Sequence, residues 1–193
     1  MKAVNFLLVG VGGQGTLLAS DIVADVGLRA GYDVKKSEVH GMAQRGGAVS
    51  SHVRWGEDVA SPLIGEGEVD ILVAFERVEA LRHIDALRPG GQVLVNDYAI
   101  VPMTVTAGEA TYPATEEILA ALRQATPDIT VVPAVRMAQE LGNARVNNVV
   151  LLGALSRCLD VAAALWEEAI AERVPPRYKD LNLQAFARGR DWE

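Results

Sequence analysis

The fold is decided by residues 4–23, which read VNFLLV at 4–9, GVGGQG at 10–15 and TLLASDIV at 16–23. The first segment has the length and apolar composition of a buried strand, and Leu18, Ile22 and Val23 recur with helical spacing. Strand, glycine turn and helix form a unit in which bare backbone can approach a phosphate or another chain at the helix N-terminus. The stretch therefore predicts the start of a βαβ fold, but it does not identify the ligand.

Further buried-strand patterns follow, with helical patterns between them, at residues 32–37, 69–75, 92–96 and 128–133. Because strands that alternate with helices are typical of parallel sheets, the pattern predicts an α/β fold with a Rossmann-like, mostly parallel sheet and flanking helices. From residue 134 onward the pattern is helical. We expect one domain over residues 1–193, with a sheet core in residues 1–133 and a helical C-terminal part in residues 134–193.

Three segments carry local predictions. Residues 48–55 and 58–64 alternate enough to form two strands of a hairpin. Residues 103–106 are expected to be extended, whereas residues 115–125 are predicted to form a helix with Thr115 as its N-cap. A last helix over residues 179–188 carries Leu and Phe side chains, which favours docking on a partner chain.

Composition and charge exclude several classes of protein. The chain has 193 residues and a formal net charge of −7, which argues against a nucleic-acid-binding protein. Cys158 is the only cysteine, so the chain can build neither a disulfide framework nor a four-cysteine cluster or zinc site, in keeping with the cytoplasm. Residues 3–20 are uncharged, but their glycines and Gln14 interrupt any signal-like or membrane-spanning helix. We therefore expect a cytoplasmic protein that binds neither nucleic acid nor membrane.

Polar residues that follow predicted strands are candidates for the ligand-facing rim of the sheet. Residues 76–77 and 96–97 are two such pairs, since ligands of open α/β sheets bind outside the carboxyl ends of the strands. Asn147 and Asn148 lie within a nearly apolar predicted helix and need hydrogen-bond partners there. We expect them to cap or bridge elements rather than to take part in catalysis.

The loop at residues 37–54 combines several kinds of polar group with glycines. Arg45, Gly46 and Gly47 can form a backbone concavity for an anion, with the guanidinium adding charge. His40 can titrate near neutral pH and is the one catalytic candidate. For each residue taken alone, a rigid surface loop in which Arg and Glu pair with each other is the favoured interpretation, but together the residues predict a loop that contacts a ligand or a partner.

These residues leave two further functions open. In a stand-alone nicotinamide-dependent oxidoreductase, Gly10, Gly12 and Gly15 would bind the pyrophosphate and Glu38 the ribose. Against this alternative, no residues after the sheet are arranged as a proton donor beside a hydride site. A binding protein without an enzyme partner is the other possibility, and no motif supports it.

Three motifs resemble the gamma-type domain of the 2-oxoacid:ferredoxin oxidoreductases: GVGGQG at residues 10–15, SEVHGMAQRGG at 37–47 and SPLI at 61–64. The run VHGMAQRGG is the specific part, because the glycine loop occurs in many folds. Within the family the chain looks like the small (beta) subunit of the indolepyruvate type, and the resemblance covers most of the chain.

The resemblance implies a subunit of an enzyme that oxidatively decarboxylates a 2-oxoacid to an acyl-coenzyme A. It places thiamine diphosphate and iron–sulfur clusters, which pass electrons to ferredoxin, in a larger alpha subunit. The chain lacks a Gly-Asp-Gly followed by a distant Asn, and Cys158 cannot hold a cluster. We therefore expect a hetero-oligomer whose small subunit holds no cofactor by itself and is inactive alone, but shares a coenzyme A site with the larger subunit. The cofactor-binding candidates are Gly10, Gly12, Gly13, Gln14, Gly15, Glu38, Arg45, Gly46 and Gly47.

Overall fold

A computed structural model describes residues 3–40, 47–108 and 110–192. Within these ranges one sheet contains six strands in the order β2-β3-β1-β4-β5-β6. The strands are β1 (Val4–Val11), β2 (Asp33–His40), β3 (Ala48–Gly56), β4 (Val69–Ala74), β5 (Leu87–Asn96) and β6 (Ile129–Val132). Strands β1, β4, β5 and β6 pair in parallel, while β3 is antiparallel to both β1 and β2. Only β3 is reversed, so the predicted α/β fold with a mostly parallel sheet is confirmed.

The hairpin predicted for residues 48–64 is wrong. Strand β3 pairs instead with β2, its predecessor in the chain, and residues 58–64 form no strand. Those residues are held beside β3 by side chains: Arg54 NH1 donates to Leu63 O at 2.9 Å, and His52 Nδ1 accepts from Ile64 N at 3.3 Å. The alternating pattern of residues 58–64 thus reflects packing against β3 rather than strand pairing.

Helices cover both faces of the sheet. They are α1 (Thr16–Arg29), α2 (Arg77–Arg82), α3 (Met103–Thr106), α4 (Thr115–Ala125), α5 (Ala134–Glu140), α6 (Asn147–Ser156), α7 (Ala163–Arg173) and α8 (Lys179–Arg190). Alternate residues of β1 point to opposite faces, so Phe6 and Leu8 join the larger core cluster with α1 and α5 to α8. Leu7 and Val9 join the smaller cluster with α2 and α4.

Two predictions between β5 and β6 need correction. Residues 103–106 are helical rather than extended, and they form α3. The N-cap of α4 is Ala114 rather than Thr115, since Ala114 has an extended backbone and Thr115 is already helical; the Glu117 carboxylate accepts from Ala114 N at 3.1 Å. The Thr115 hydroxyl instead accepts a hydrogen bond from Arg77 NH1 at 2.8 Å. A carboxylate three residues into the helix therefore caps it, leaving the threonine to join α4 to α2.

The last helix packs into the core. Phe186, expected on an exposed face, is only 1% exposed and lies in the larger cluster. Helix α8 crosses α6 at two glycines: a Cβ added at Gly153 would overlap the Phe186 carbonyl oxygen, and one added at Gly189 would overlap the Val150 carbonyl oxygen. The two backbones therefore touch, which only glycine permits. The expectation that this Phe docks on a partner is wrong.

Candidate functional site

The candidate site lies at the carboxyl edge of the sheet, where β1, β4 and β5 end. From β1 the chain passes through α1 to β2 and β3 on one side, whereas β4 and β5 lie on the other side. This divergence makes the crevice between β1 and β4 the topological switch point, where open α/β sheets bind ligands. The glycine loop at residues 10–15 borders this crevice.

Glycine is needed at three positions of the loop for different reasons. Gly13 and Gly15 have φ values of 101° and 78°, in the region that favours glycine. Gly10 has no such φ, but a Cβ there would lie 2.8 Å from Gln14 Oε1 and 3.0 Å from Phe75 Cβ. Gly15 is the N-cap of α1 and supplies no side-chain cap, so the first N–H groups of that helix are open to a ligand.

Gln14 fixes the loop from the inside. Its Oε1 accepts from Val11 N at 2.7 Å, and its Nε2 donates to Phe75 O at 2.8 Å. The amide thereby joins the end of β1 to the residue that follows β4. Of the predicted cofactor-binding residues, Gln14 supports the shape of the loop, so the surface that the loop offers to a ligand is mainly backbone.

The glycine loop also contacts the second predicted loop. Gly12 N donates to Gly47 O at 2.9 Å, which places Gly47 directly against the glycine turn. Arg45 and Gly46 lie outside the described residues, as does the side chain of His40, whose backbone ends β2. The structure thus brings Gly47 to the candidate site, while the roles of Arg45, Gly46 and His40 remain predictions.

Glu38 lies on β2, the outermost strand on its side of the sheet. In a dinucleotide-binding fold the strand that carries the ribose-binding acid is the neighbour of β1. Here β3 lies between β1 and β2, which moves Glu38 one strand further from the glycine loop. Its carboxylate pairs with Lys36 Nζ. This geometry does not match the ribose site of a nicotinamide-dependent enzyme.

An open cleft of about 650 Å³ runs between the glycine loop and the start of α6. Asn148 Nδ2 donates to Gly15 O at 3.3 Å, so the predicted bridging role of this residue is confirmed. A Cβ at Gly15 would lie 2.5 Å from the same nitrogen. Asn147 donates to Ala144 O at 2.8 Å, but its buried Oδ1 has no partner among the described residues. Besides the glycine loop and these two amides, the cleft is lined by Arg145 and by the side chains of Leu18, Tyr98, Ile100 and Val135.

The rim pairs predicted after β4 and β5 are structural. Asn96 is fully buried, where it donates to Phe75 O at 3.2 Å and accepts from Ala134 N at 3.1 Å. Asp97 accepts from Arg77 Nε at 2.9 Å. These pairs hold the ends of the strands in place and leave the cleft to the loops.

Glu76 organises the opposite side of the edge. Its Oε2 accepts from Glu79 N at 3.0 Å and caps α2, while Oε1 accepts from Ile100 N at 3.2 Å and from the Tyr112 hydroxyl. Burial and this bond raise the pKa of Tyr112 well above its usual value. The sequence indicated Glu76 by its place after a strand, but no pattern indicated Tyr112, which is 36 residues away.

The described residues contain no group of three or more His, Cys, Asp or Glu side chains that could hold a metal ion. Across residues 3–40, 47–108 and 110–192, no helix is long and apolar enough to cross a bilayer.

Comparison with known families identifies the chain. The model of the pyruvate ferredoxin/flavodoxin oxidoreductase family matches residues 5–192, which include every element of the sheet except the first residue of β1. The chain belongs to this family. The resemblance seen in the motifs of the sequence is thereby confirmed.

Two curated relatives, each named indolepyruvate oxidoreductase subunit IorB, match this family member over nearly its whole length. The Archaeoglobus fulgidus protein is 44% identical over 187 residues, covering 96% of this chain and 92% of the relative. The Pyrococcus horikoshii protein is 42% identical over 192 residues, covering 98% and 95%. The chain is a subunit of a 2-oxoacid:ferredoxin oxidoreductase, and the stand-alone nicotinamide alternative is set aside.

Solved structures of the family share the fold. The gamma subunit of a keto/oxoacid ferredoxin oxidoreductase from Geobacter sulfurreducens has a TM-score of 0.70 and 25% identity, covering 96% of this chain and 95% of its own. The 2-oxoglutarate:ferredoxin oxidoreductase of Magnetococcus marinus, solved with 2-oxoglutarate, coenzyme A and succinyl-CoA bound, has a TM-score of 0.74 at 21% identity. The match covers 98% of this chain but 31% of that longer one, and it shows the fold alone.

Proposed function

We propose that the chain is the small subunit of an indolepyruvate:ferredoxin oxidoreductase in the cytoplasm. The observation that carries this proposal is the similarity to two IorB subunits, which extends over nearly the full length of this chain and of each relative. In the reaction, indolepyruvate and coenzyme A give the acyl-coenzyme A and carbon dioxide, and the two electrons released reduce ferredoxin. The chain contributes as one domain over residues 1–193.

The proposed complex divides the chemistry between two subunits. We place thiamine diphosphate in a larger subunit with the iron–sulfur clusters, where it would supply the electron sink for decarboxylation. The donor set of this chain supports that placement, because a cluster needs several thiolates and Cys158 is the only cysteine. The small subunit then supplies shape, contacts and part of the coenzyme A site.

The glycine loop is the proposed contact for coenzyme A. The N–H groups at the start of α1 are uncapped and border the 650 Å³ cleft, and a helix N-terminus of this kind favours phosphate. Gly47 lies directly beside the loop. Arg45 and Gly46 precede it in sequence, so we propose that the Arg45 guanidinium adds a charged donor to the same phosphate.

Purification of the complex tests the proposal. The tagged chain is isolated with its larger subunit from an anaerobic lysate, and the visible spectrum, bound thiamine diphosphate and dye reduction are measured. We expect a brown complex that reduces the dye faster with indolepyruvate than with pyruvate or 2-oxoglutarate, in a manner dependent on coenzyme A. A colourless, solitary chain that binds NADH would overturn the proposal. A brown complex that prefers another 2-oxoacid would change the proposed substrate but leave the proposed subunit role intact.

Replacing Arg45 tests the coenzyme A contact. In the purified complex, Arg45→Ala is expected to raise the KM for coenzyme A about tenfold or more, because a hydrogen bond to a charged group contributes about 1.5–3 kcal/mol. Arg123→Ala removes the same charge from the exposed side of α4 and should leave this KM unchanged. Co-purification of the larger subunit shows that assembly is intact. An unchanged KM for Arg45→Ala would remove Arg45 from the site.

A further inference from the structure

A second, smaller cavity lies on the α2 side of the carboxyl edge. Its volume is about 230 Å³, and its apolar walls are formed by Val11, Val78, Ile100 and Pro102. Val11 also ends β1, so the cavity adjoins the glycine loop, and Ile100 lines both this cavity and the larger cleft. Ligand pockets usually measure about 300–1,000 Å³, so this space suits one side chain better than a cofactor.

The cavity contains an unsatisfied carboxylate oxygen. Glu79 lines the cavity and is 4% exposed. Its Oε1 is 3.1 Å from Arg82 NH1, whereas its Oε2 is buried with no hydrogen-bond partner within the described ranges. Buried acceptors in native proteins are nearly always paired, and an orphaned carboxylate oxygen therefore points to a donor that residues 3–40, 47–108 and 110–192 do not supply.

The charges around the cavity do not balance. Two carboxylates, Glu76 and Glu79, line it together with one guanidinium, that of Arg82. Glu76 is fully occupied by its bonds to Glu79 N, Ile100 N and the Tyr112 hydroxyl. Arg82 is 56% exposed in its side chain and is bound to Oε1 alone. Among the described lining residues the carboxylates therefore outnumber the cations by one, and Glu79 Oε2 is the carboxylate oxygen that has no donor.

We propose that this cavity receives the side chain of a single lysine or arginine of the larger subunit. The aliphatic stem packs against the apolar walls, and the cationic head donates to Glu79 Oε2, as long basic side chains do when their heads find a partner. Val101, between Ile100 and Pro102 in sequence, is 52% exposed and adds an apolar contact for the same partner. The inference rests on the proposed function, because it requires the two-subunit complex.

The test measures the affinity between the full-length chain and its larger subunit. Glu79→Gln removes the charge without changing the size of the side chain, and we expect the dissociation constant to rise at least tenfold. Ala48→Phe fills the cavity from an exposed position of β3 and should have a similar effect while Glu79 is kept. Glu167→Gln is the matched control, since it removes one negative charge from an exposed site on α7. Thermal unfolding of each variant verifies the fold.

The outcomes separate the two proposals. If the wild-type chain does not bind the larger subunit, the proposed function fails. If the wild type binds and Glu79→Gln binds equally well, the cavity proposal is overturned, and the donor to Oε2 does not come from the larger subunit. Normal binding by Ala48→Phe would also overturn it, because a filled cavity leaves no space for the inserted side chain. Weak binding by both variants, with normal binding by Glu167→Gln, supports it.

Discussion

The two faces of the sheet are filled in different ways. Beneath α1 and α5 to α8, aliphatic and aromatic side chains form the larger cluster, and α6 and α8 approach until their backbones touch at Gly153 and Gly189. Beneath α2 and α4 the cluster is smaller, and it borders the buried carboxylates of Glu76 and Glu79 and a 230 Å³ cavity. The crossing of α6 and α8 has no space left, whereas the second face keeps a cavity beside two buried carboxylates.

This difference separates stability from recognition. A close-packed apolar interior tolerates little change, because an added methyl has nowhere to go. A face with a cavity and an unsatisfied carboxylate oxygen gives up some stability in the free chain and keeps groups that a partner can use. Substitutions on the first face should therefore affect folding, and those on the second should affect assembly.

The largest effect is expected where α6 meets α8. Replacing Gly153 by Ala in a helix ordinarily stabilises by about 1 kcal/mol. Here the new Cβ would overlap the Phe186 carbonyl oxygen and lie 2.7 Å from Arg190 N, so we expect a loss of about 3 kcal/mol or more. Urea unfolding measures the change. Gln184→Ala, at an exposed position of α8, should stay within about 0.5 kcal/mol. A Gly153→Ala variant with an unchanged free energy of unfolding would show that α6 and α8 can move apart to accept a methyl group.

An intermediate effect is expected on the second face. Tyr112→Phe removes the hydroxyl that donates to Glu76 Oε1, leaving that buried oxygen with Ile100 N as its donor. We expect a loss of about 1–3 kcal/mol in the free energy of unfolding. Tyr178→Phe, at a 40% exposed position, is the control. If both variants have the same free energy of unfolding, the hydrogen bond from the Tyr112 hydroxyl to Glu76 does not stabilise the fold, and the second face is less tightly held than expected.

The smallest effect is expected at Glu79 in the free chain. Burial raises the pKa of its carboxyl, and Arg82 lowers it in part. A raised pKa means that the stability contributed by the protonated acid is present below the ordinary glutamate pKa and is lost as pH rises through the folded value. At neutral pH, Glu79→Gln should therefore leave the chain as stable as the wild type or stabilise it by less than about 1 kcal/mol, since losing the Arg82 pair opposes the gain.

The pH dependence of thermal unfolding checks this expectation. The difference in melting temperature between Glu79→Gln and the wild type should favour the variant more at pH 7 than at pH 4. A variant that is clearly less stable at pH 7 would show that Glu79 serves the fold, and the contrast between the two faces would weaken.

Much of the fold follows from local patterns in the sequence. The run before Gly10 is buried in β1, and the glycine turn leads into α1 as predicted. The helix at residues 115–125 and the bridging role of Asn148 were also correct. In each case the signal is local. It is the spacing of apolar residues, a glycine at a backbone conformation that other residues rarely adopt, or a polar side chain inside an apolar helix that needs a hydrogen-bond partner.

The errors come from contacts between distant segments. The turn at residues 55–58 suggested a hairpin, but β3 lies between β1 and β2 and leaves residues 58–64 no strand to pair with. The burial of Phe186 depends on two glycines 36 residues apart that bring α6 and α8 together. The second cavity combines Val11, Glu79 and Ile100, which no periodicity relates. A single sequence does not show which helix meets which.

The place of Glu76 also bears on the order in which the chain folds. Its partners Ile100 and Tyr112 are 24 and 36 residues further along, beyond β5. These bonds close loops that contain β5, and such long-range closure is entropically costly, so we expect them to form after the rate-limiting step. Bonds of that kind govern the unfolding rate and leave the folding rate nearly unchanged. The α2 side would then be the first part of the domain to open, which makes it the natural place for a partner subunit to prolong the lifetime of the native state.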